Sequence, residues 1–128
     1  MKTPRTVSCA IRSAVKKRED SHASLDAEIQ GQLCHLYLVA DGHGGAGAAR
    51  LCAAKLLAMV AEEAQSVSQG ELERACTASF VRLHDLLLSD EAVGASGCTC
   101  TVVAVVAGTG QLTCANVGDS VRALREPH

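Results

Sequence analysis

The chain has 128 residues, 48% of them hydrophobic, and a formal net charge of −2. That length suits one domain with a real core, and the composition is globular rather than disordered. The charge leaves no electrostatic footprint for nucleic acid, and no apolar stretch is long and charge-free enough to span a bilayer.

The N-terminus carries Lys2, Arg5, Arg12, Lys16, Lys17 and Arg18 before the first acid, Glu19. A mitochondrial transit peptide shares that signature, whereas a secretory apolar core is absent. Val7, Cys9 and Ile11 alternate with polar or small residues, so residues 6–15 read instead as a first strand. Residues 16–22 form a charged bend containing Arg18-Glu19-Asp20-Ser21-His22. A weak strand follows at 24–29, and Gly31 turns it towards a strong strand at 35–40. That strand runs into Val39-Ala40-Asp41-Gly42-His43-Gly44-Gly45, which predicts a turn at the strand mouth bearing one carboxylate and one imidazole. Residues 46–64 read as a helix with Leu51, Cys52, Leu56, Leu57, Met59 and Val60 spread round it, hence buried on more than one side.

Residues 66–70 read as a linker, and Ser68 and Glu71 have the spacing of a capping box that starts a second helix. Its apolar stripe is Leu72, Cys76, Phe80, Leu83 and Leu87, and His84 falls on the solvent side. Gly94 and Gly97 end the helical region. Residues 99–107 are Val-rich and nearly continuous in apolar character, as a central strand would be. Residues 108–111 make a hairpin turn, and 112–117 return as a strand that leads into Gly118-Asp119-Ser120. Strands, two consecutive helices and then a hairpin predict an α+β fold. With open edges, Val102-Val103-Ala104-Val105-Val106 would be the aggregation hazard, being apolar, β-prone and uncharged.

Seven cysteines without zinc-type spacing suit a reducing compartment, which predicts an intracellular protein of cytoplasm or nucleus. Cys98 and Cys100 share one strand face and read as small hydrophobes in packing. A redox or metal-buffering role for the thiols is the competing class, and zinc titration is expected to find no tight stoichiometric site.

The chemistry sits at the strand ends. The Asp41 carboxylate beside the unshielded Gly42 carbonyl offers two oxygen ligands to a hard metal ion. His43 next to them can exchange a proton near neutral pH. No Lys-Ser or Lys-Thr follows the glycines, which argues against a phosphate loop, and the spacing fails a dinucleotide fingerprint. Glu19-Asp20, Asp41 and Asp119 would converge on one rim if the strands stack as layers. Clustered carboxylates need a cation or raised pKa values; otherwise each acid simply caps its own turn.

The chain resembles the metal-dependent protein phosphatases of type 2C, the PPM family. Val39-Ala40-Asp41-Gly42-His43-Gly44-Gly45 is close to the family's V-F-D-G-H-G-G, and Gly97-Cys98-Thr99 is similar to its G-S-T. Ala115-Asn116-Val117-Gly118-Asp119-Ser120 matches A-N-V-G-D-S, and Glu19-Asp20-Ser21-His22 is similar to E-D-A-H. The four motifs fall in the family's order across most of the chain.

The resemblance implies a four-layer α-β-β-α sandwich, with residues 1–128 as the N-terminal part of its catalytic domain. It implies serine/threonine phosphatase activity, phosphomonoester hydrolysis by metal-activated water, on phosphoserine and phosphothreonine proteins. The implied cofactor is Mn2+ or Mg2+, two or more ions per complete site. Asp41 matches the acid that bridges two metals, and Gly42 matches the residue whose carbonyl meets one of them. Glu19 and Asp20 match acids that hold the site directly or through water, and Asp119 matches an acid of a third metal position. His43 matches the general acid for the leaving group. The departures are Val15 where the family has a phosphate-contacting arginine, Val121 before Arg122 where arginine follows G-D-S directly, and Cys98 for the G-S-T serine. The family's later aspartates fall beyond the last residue, so the chain alone is expected to be inactive. The alternative is a non-catalytic phosphatase-like protein that binds a partner or phosphoprotein.

Overall fold

The computed structural model describes residues 20–66, 71–90 and 96–117. The predicted strand at 6–15, Val15, Glu19, Ser68, Asp119 and Arg122 lie outside the described residues. Four strands, β1 (Ser21–Ile29), β2 (Gln32–His43), β3 (Gly97–Val106) and β4 (Leu112–Val117), form one antiparallel sheet in the order β1-β2-β3-β4. Helices α1 (Gly47–Ala64) and α2 (Leu72–Ser89) lie between β2 and β3 in the chain. Helix α1 packs on β1, β2 and β3, and α2 packs on α1 and β4. This is the predicted α+β class, compatible with part of a sandwich: the described residues supply one helical layer and one sheet.

Period-two alternation decides which side chains meet the helices. Cys34, Leu36, Leu38 and Ala40 of β2 are buried, as are Cys100, Val102, Ala104 and Val106 of β3. They pack with Cys52, Leu56, Leu57, Met59 and Val60 of α1 and with Leu72, Ala75, Cys76 and Leu83 of α2. The all-round apolar character of α1 thus has its reason: one side meets the sheet and another meets α2. His84 is exposed, as its place off the α2 stripe predicts.

Several local expectations are corrected. Glu71 is the N-cap of α2 and makes no side-chain capping bond, so among the described residues no capping box forms. Its carboxylate instead accepts from Arg74 at 2.7 Å across one exposed helical turn, a pair of small net worth. The β1–β2 turn has positive φ at both Gln30 (50°) and Gly31 (81°), as a tight hairpin twisted with its strands requires. Gln30 is held in this conformation by α1: its N–H donates to Gln65 Oε1 at 3.0 Å, and its Nε2 donates to the Ala64 carbonyl at 2.8 Å. The second bond also satisfies a carbonyl at the helix C-terminus. The Val102–Val106 run is paired on both sides, by β2 and β4. Its edges are therefore covered, and among the described residues β1 and β4 are the sheet edges.

Most thiols among the described residues are packing groups. Cys34, Cys52, Cys76 and Cys100 are buried, Cys98 is half-buried and Cys114 is exposed, all as free thiols. Burial pushes Cys76 up to about 11. Cys52 is pushed up to about 12, chiefly by the Cys100 thiol and further by burial, against a lowering by its bond with Cys98. Reactivity belongs to the thiolate, so a maleimide or disulfide probe at neutral pH is expected to label Cys114 well before the buried thiols. These raised values also fix a pH dependence. Between the ordinary 9.0 and about 11, unfolded thiols ionise while Cys76 and Cys52 stay protonated, and Cys52 holds its proton up to about 12. The native state then binds more protons, so stability is full below about pH 9 and falls as pH rises towards 12. Chemical unfolding followed from pH 7 to 11 should show that decline, and a flat profile would contradict the burial.

Candidate phosphatase site at the strand ends

One end of the sheet gathers the motif residues. There β1 begins with Ser21 opposite Ala40, β2 ends with His43 opposite Gly97, and β4 ends with Val117 opposite Cys100. Asp41 and His43 are the final alternate residues of β2, both exposed, with buried Gly42 between them. The predicted turn therefore begins three residues later than Asp41, at Gly44. Pairing with β3 carries the strand through Asp41, Gly42 and His43, and the chain leaves it at Gly44 (φ 69°) and Gly45 (φ 125°). Strand geometry aims Asp41 and His43 to the same face, away from the helices.

Asp20 meets the site from the residue before β1. Its Oδ1 accepts a hydrogen bond from the Gly42 N–H at 3.2 Å, although 22 residues separate the two in sequence. Two carboxylates thus flank Gly42, one on each of two neighbouring chain segments. Glu19 and Asp119 lie outside the described residues; the strand ends nearest them in sequence, Ser21 and Val117, are both on this rim. Among the described residues no group of three or more His, Cys, Asp or Glu side chains is placed to hold a metal ion. Asp41, Asp20 and the Gly42 carbonyl agree in kind with a hard divalent cation, being oxygen donors; in number they are part of a set.

Beneath this rim, on the helix side, Cys98 pairs with Gly42 in register, and its Sγ lies 3.4 Å from Cys52 Sγ on α1. The Cys52 bond, burial and the nearby Asp41 charge all hold the Cys98 thiol far above the ordinary thiol range. Cys98 occupies the serine position of G-S-T, so at this point the departure from the family pattern is a half-buried thiol contact with its thiol held protonated. On the other face Thr101 Oγ1 donates to Asn116 Oδ1 at 2.5 Å, tying the A-N-V segment of β4 to β3 beside Val39.

The family profile for protein phosphatase 2C matches residues 5–124. The chain belongs to the protein phosphatase 2C family. Protein phosphatase 2C homolog 2 of Saccharomyces cerevisiae is 34% identical over 118 residues, covering 88% of this chain and 25% of the relative. Protein phosphatase 2C homolog 3 of Schizosaccharomyces pombe is 33% identical over 107 residues, covering 80% and 25%. A probable protein phosphatase 2C of Caenorhabditis elegans is 28% identical over 102 residues. The chain spans about a quarter of the length of these relatives.

Two neighbouring residues at the start of β3 have contacts that no local sequence signal announces. Ser96 Oγ accepts from the Ala48 N–H in the first turn of α1 at 3.0 Å, and Gly97 lies beside the His43 ring. In the sequence Gly97 reads as the end of the helical region and as the first residue of Gly97-Cys98-Thr99. Its partner is 54 positions away, and no local pattern reports such a pairing.

Proposed function

We propose that this chain is the N-terminal part of the catalytic domain of a metal-dependent protein serine/threonine phosphatase. The observation that carries the reading is the shared outward face of Asp41 and His43 at the end of β2, with Asp20 bonded to the Gly42 between them. Asp41, Asp20 and the Gly42 carbonyl would hold Mn2+ or Mg2+, with Glu19 and Asp119 as further acids. When bound, such ions neutralise phosphate charge and make water more acidic. The residues of the chain do the rest. Asp41 concentrates negative charge at the rim, and Asp20 fixes the backbone of Gly42. His43, two residues from Asp41 and on the same side, holds the proton for the departing serine or threonine oxygen.

The outer sheet face supports a larger domain. Antiparallel sheets that meet water usually carry polar residues there, whereas this one presents Leu33, Val39 and Leu112 exposed and Tyr37, Val103 and Val105 half-buried. A second sheet laid on that face would complete the four layers. Free thiols throughout the described residues fit a reducing, intracellular setting. No helix among the described residues is long and apolar enough to cross a membrane.

The discriminating experiment is His43→Gln in the full-length protein. Turnover of a phosphothreonine peptide is expected to fall about 10²- to 10⁴-fold, the usual worth of a general acid. Turnover of p-nitrophenyl phosphate should fall far less, because its phenolate leaves with little protonation. Equal losses on both substrates would refute the proton-donor role. Unmeasurable hydrolysis by the unmutated protein, with phosphopeptide still bound, would instead establish the non-catalytic reading that Val15 raises.

A further inference from the structure

We propose that Gly97 is a positioning residue for His43, its bare Cα leaving the space in which the imidazole sits. The proposal rests on the reading of His43 as the proton donor and adds what sets the ring's place. His43 and Gly97 are cross-strand partners at the ends of β2 and β3. A Cβ built on Gly97 would lie 2.8 Å from His43 Nε2, 3.4 Å from Cδ2 and 3.5 Å from Cε1. The ring therefore lies over the position that any other residue would fill, with Nε2, one of the two atoms able to carry the proton, nearest. An aromatic ring laid across a strand glycine is a known way to cover its exposed backbone. Here it also fixes an otherwise exposed side chain.

The strand start cannot readily yield in place of the ring. Ser96, the neighbour of Gly97, is tied to α1 by its Oγ accepting from the Ala48 N–H at 3.0 Å. A Cβ at Gly45 would meet Ser96 Cβ at 3.4 Å, so the glycine loop also runs close to this segment. The start of β3 is thus tied to the first turn of α1 and has the glycine loop beside it. With a methyl group at position 97, the softest response is rotation of the His43 side chain away from its place. A displacement near 1 Å at a catalytic group costs about 10²-fold in rate.

The test is Gly97→Ala in the full-length protein, read in three ways. The His43 imidazole NMR resonance, assigned by its loss in His43→Gln, is expected to shift. Turnover of a phosphothreonine peptide should fall about 10²-fold, with p-nitrophenyl phosphate turnover and the manganese requirement near those of the unmutated protein. The melting temperature should fall in the native background but not when His43→Ala removes the ring, since alanine is otherwise a better strand residue than glycine. An unmoved His43 resonance, or the same loss of Tm in both backgrounds, overturns the proposal. Should Gly97→Ala alone not fold, folding of the double variant supports it and failure of both variants overturns it. If His43→Gln damages both substrates equally, the proton-donor reading falls, and the resonance and thermal comparisons still decide whether Gly97 places the ring.

Discussion

Asp41→Asn in the full-length protein is expected to abolish manganese-dependent phosphatase activity on phosphopeptide and p-nitrophenyl phosphate alike. The substitution keeps size and shape and removes one negative charge from the end of β2. Metal-ion stabilisation is worth several kcal/mol, and about 1.4 kcal/mol is tenfold in rate, so the loss is roughly a thousandfold or more. Excess manganese should recover part of it if weakened ion binding dominates. The contrast with His43→Gln is the sharper result. The two side chains stand two residues apart on one face, yet only the Asp41 change should be blind to the leaving group. Retention of most activity by Asp41→Asn would remove Asp41 from the metal site, while leaving family membership, which rests on the match over residues 5–124, untouched.

Leu36→Ala is expected to produce the largest loss of stability among conservative changes in β2. Leu36 is fully buried, and its cross-strand partners are Leu25 on β1 and Ala104 on β3. Ala104 has little volume with which to fill a void. Truncating a buried leucine costs about 2–5 kcal/mol, the upper part of the range where the site cannot collapse. Against a typical total of about 5–15 kcal/mol, urea unfolding of the chain should show a much lower midpoint. Val39→Ala is the control. Val39 is 55% exposed on the opposite face, so its truncation should stay within about 0.5 kcal/mol. Reversal of the two effects would mean a register shifted by one residue, which exchanges the faces of the strand.

The sequence by itself determined the parts whose signal is periodic. The α2 stripe, the Val-rich central strand and the return hairpin sit where pattern places them, because burial of one face imposes a fixed spacing on each element. The four motifs in order were enough to point to the family, since acids, an imidazole and glycines recur there for chemical reasons. Local signals failed where non-local bonds prevailed. Glycines after Asp41 predicted a turn, but pairing with β3 extends β2 through His43. The spacing of Ser68 and Glu71 predicted a capping box, but α2 begins at Leu72 without a side-chain cap. Only the tertiary structure decided that Asp20 bonds the backbone of Gly42, that Cys98 meets Cys52 and that the His43 ring lies over Gly97. Each of these contacts joins segments far apart in the chain. Their geometry follows from strand register, and register is set by the packing of the whole sheet against α1 and α2 rather than by the residues that touch.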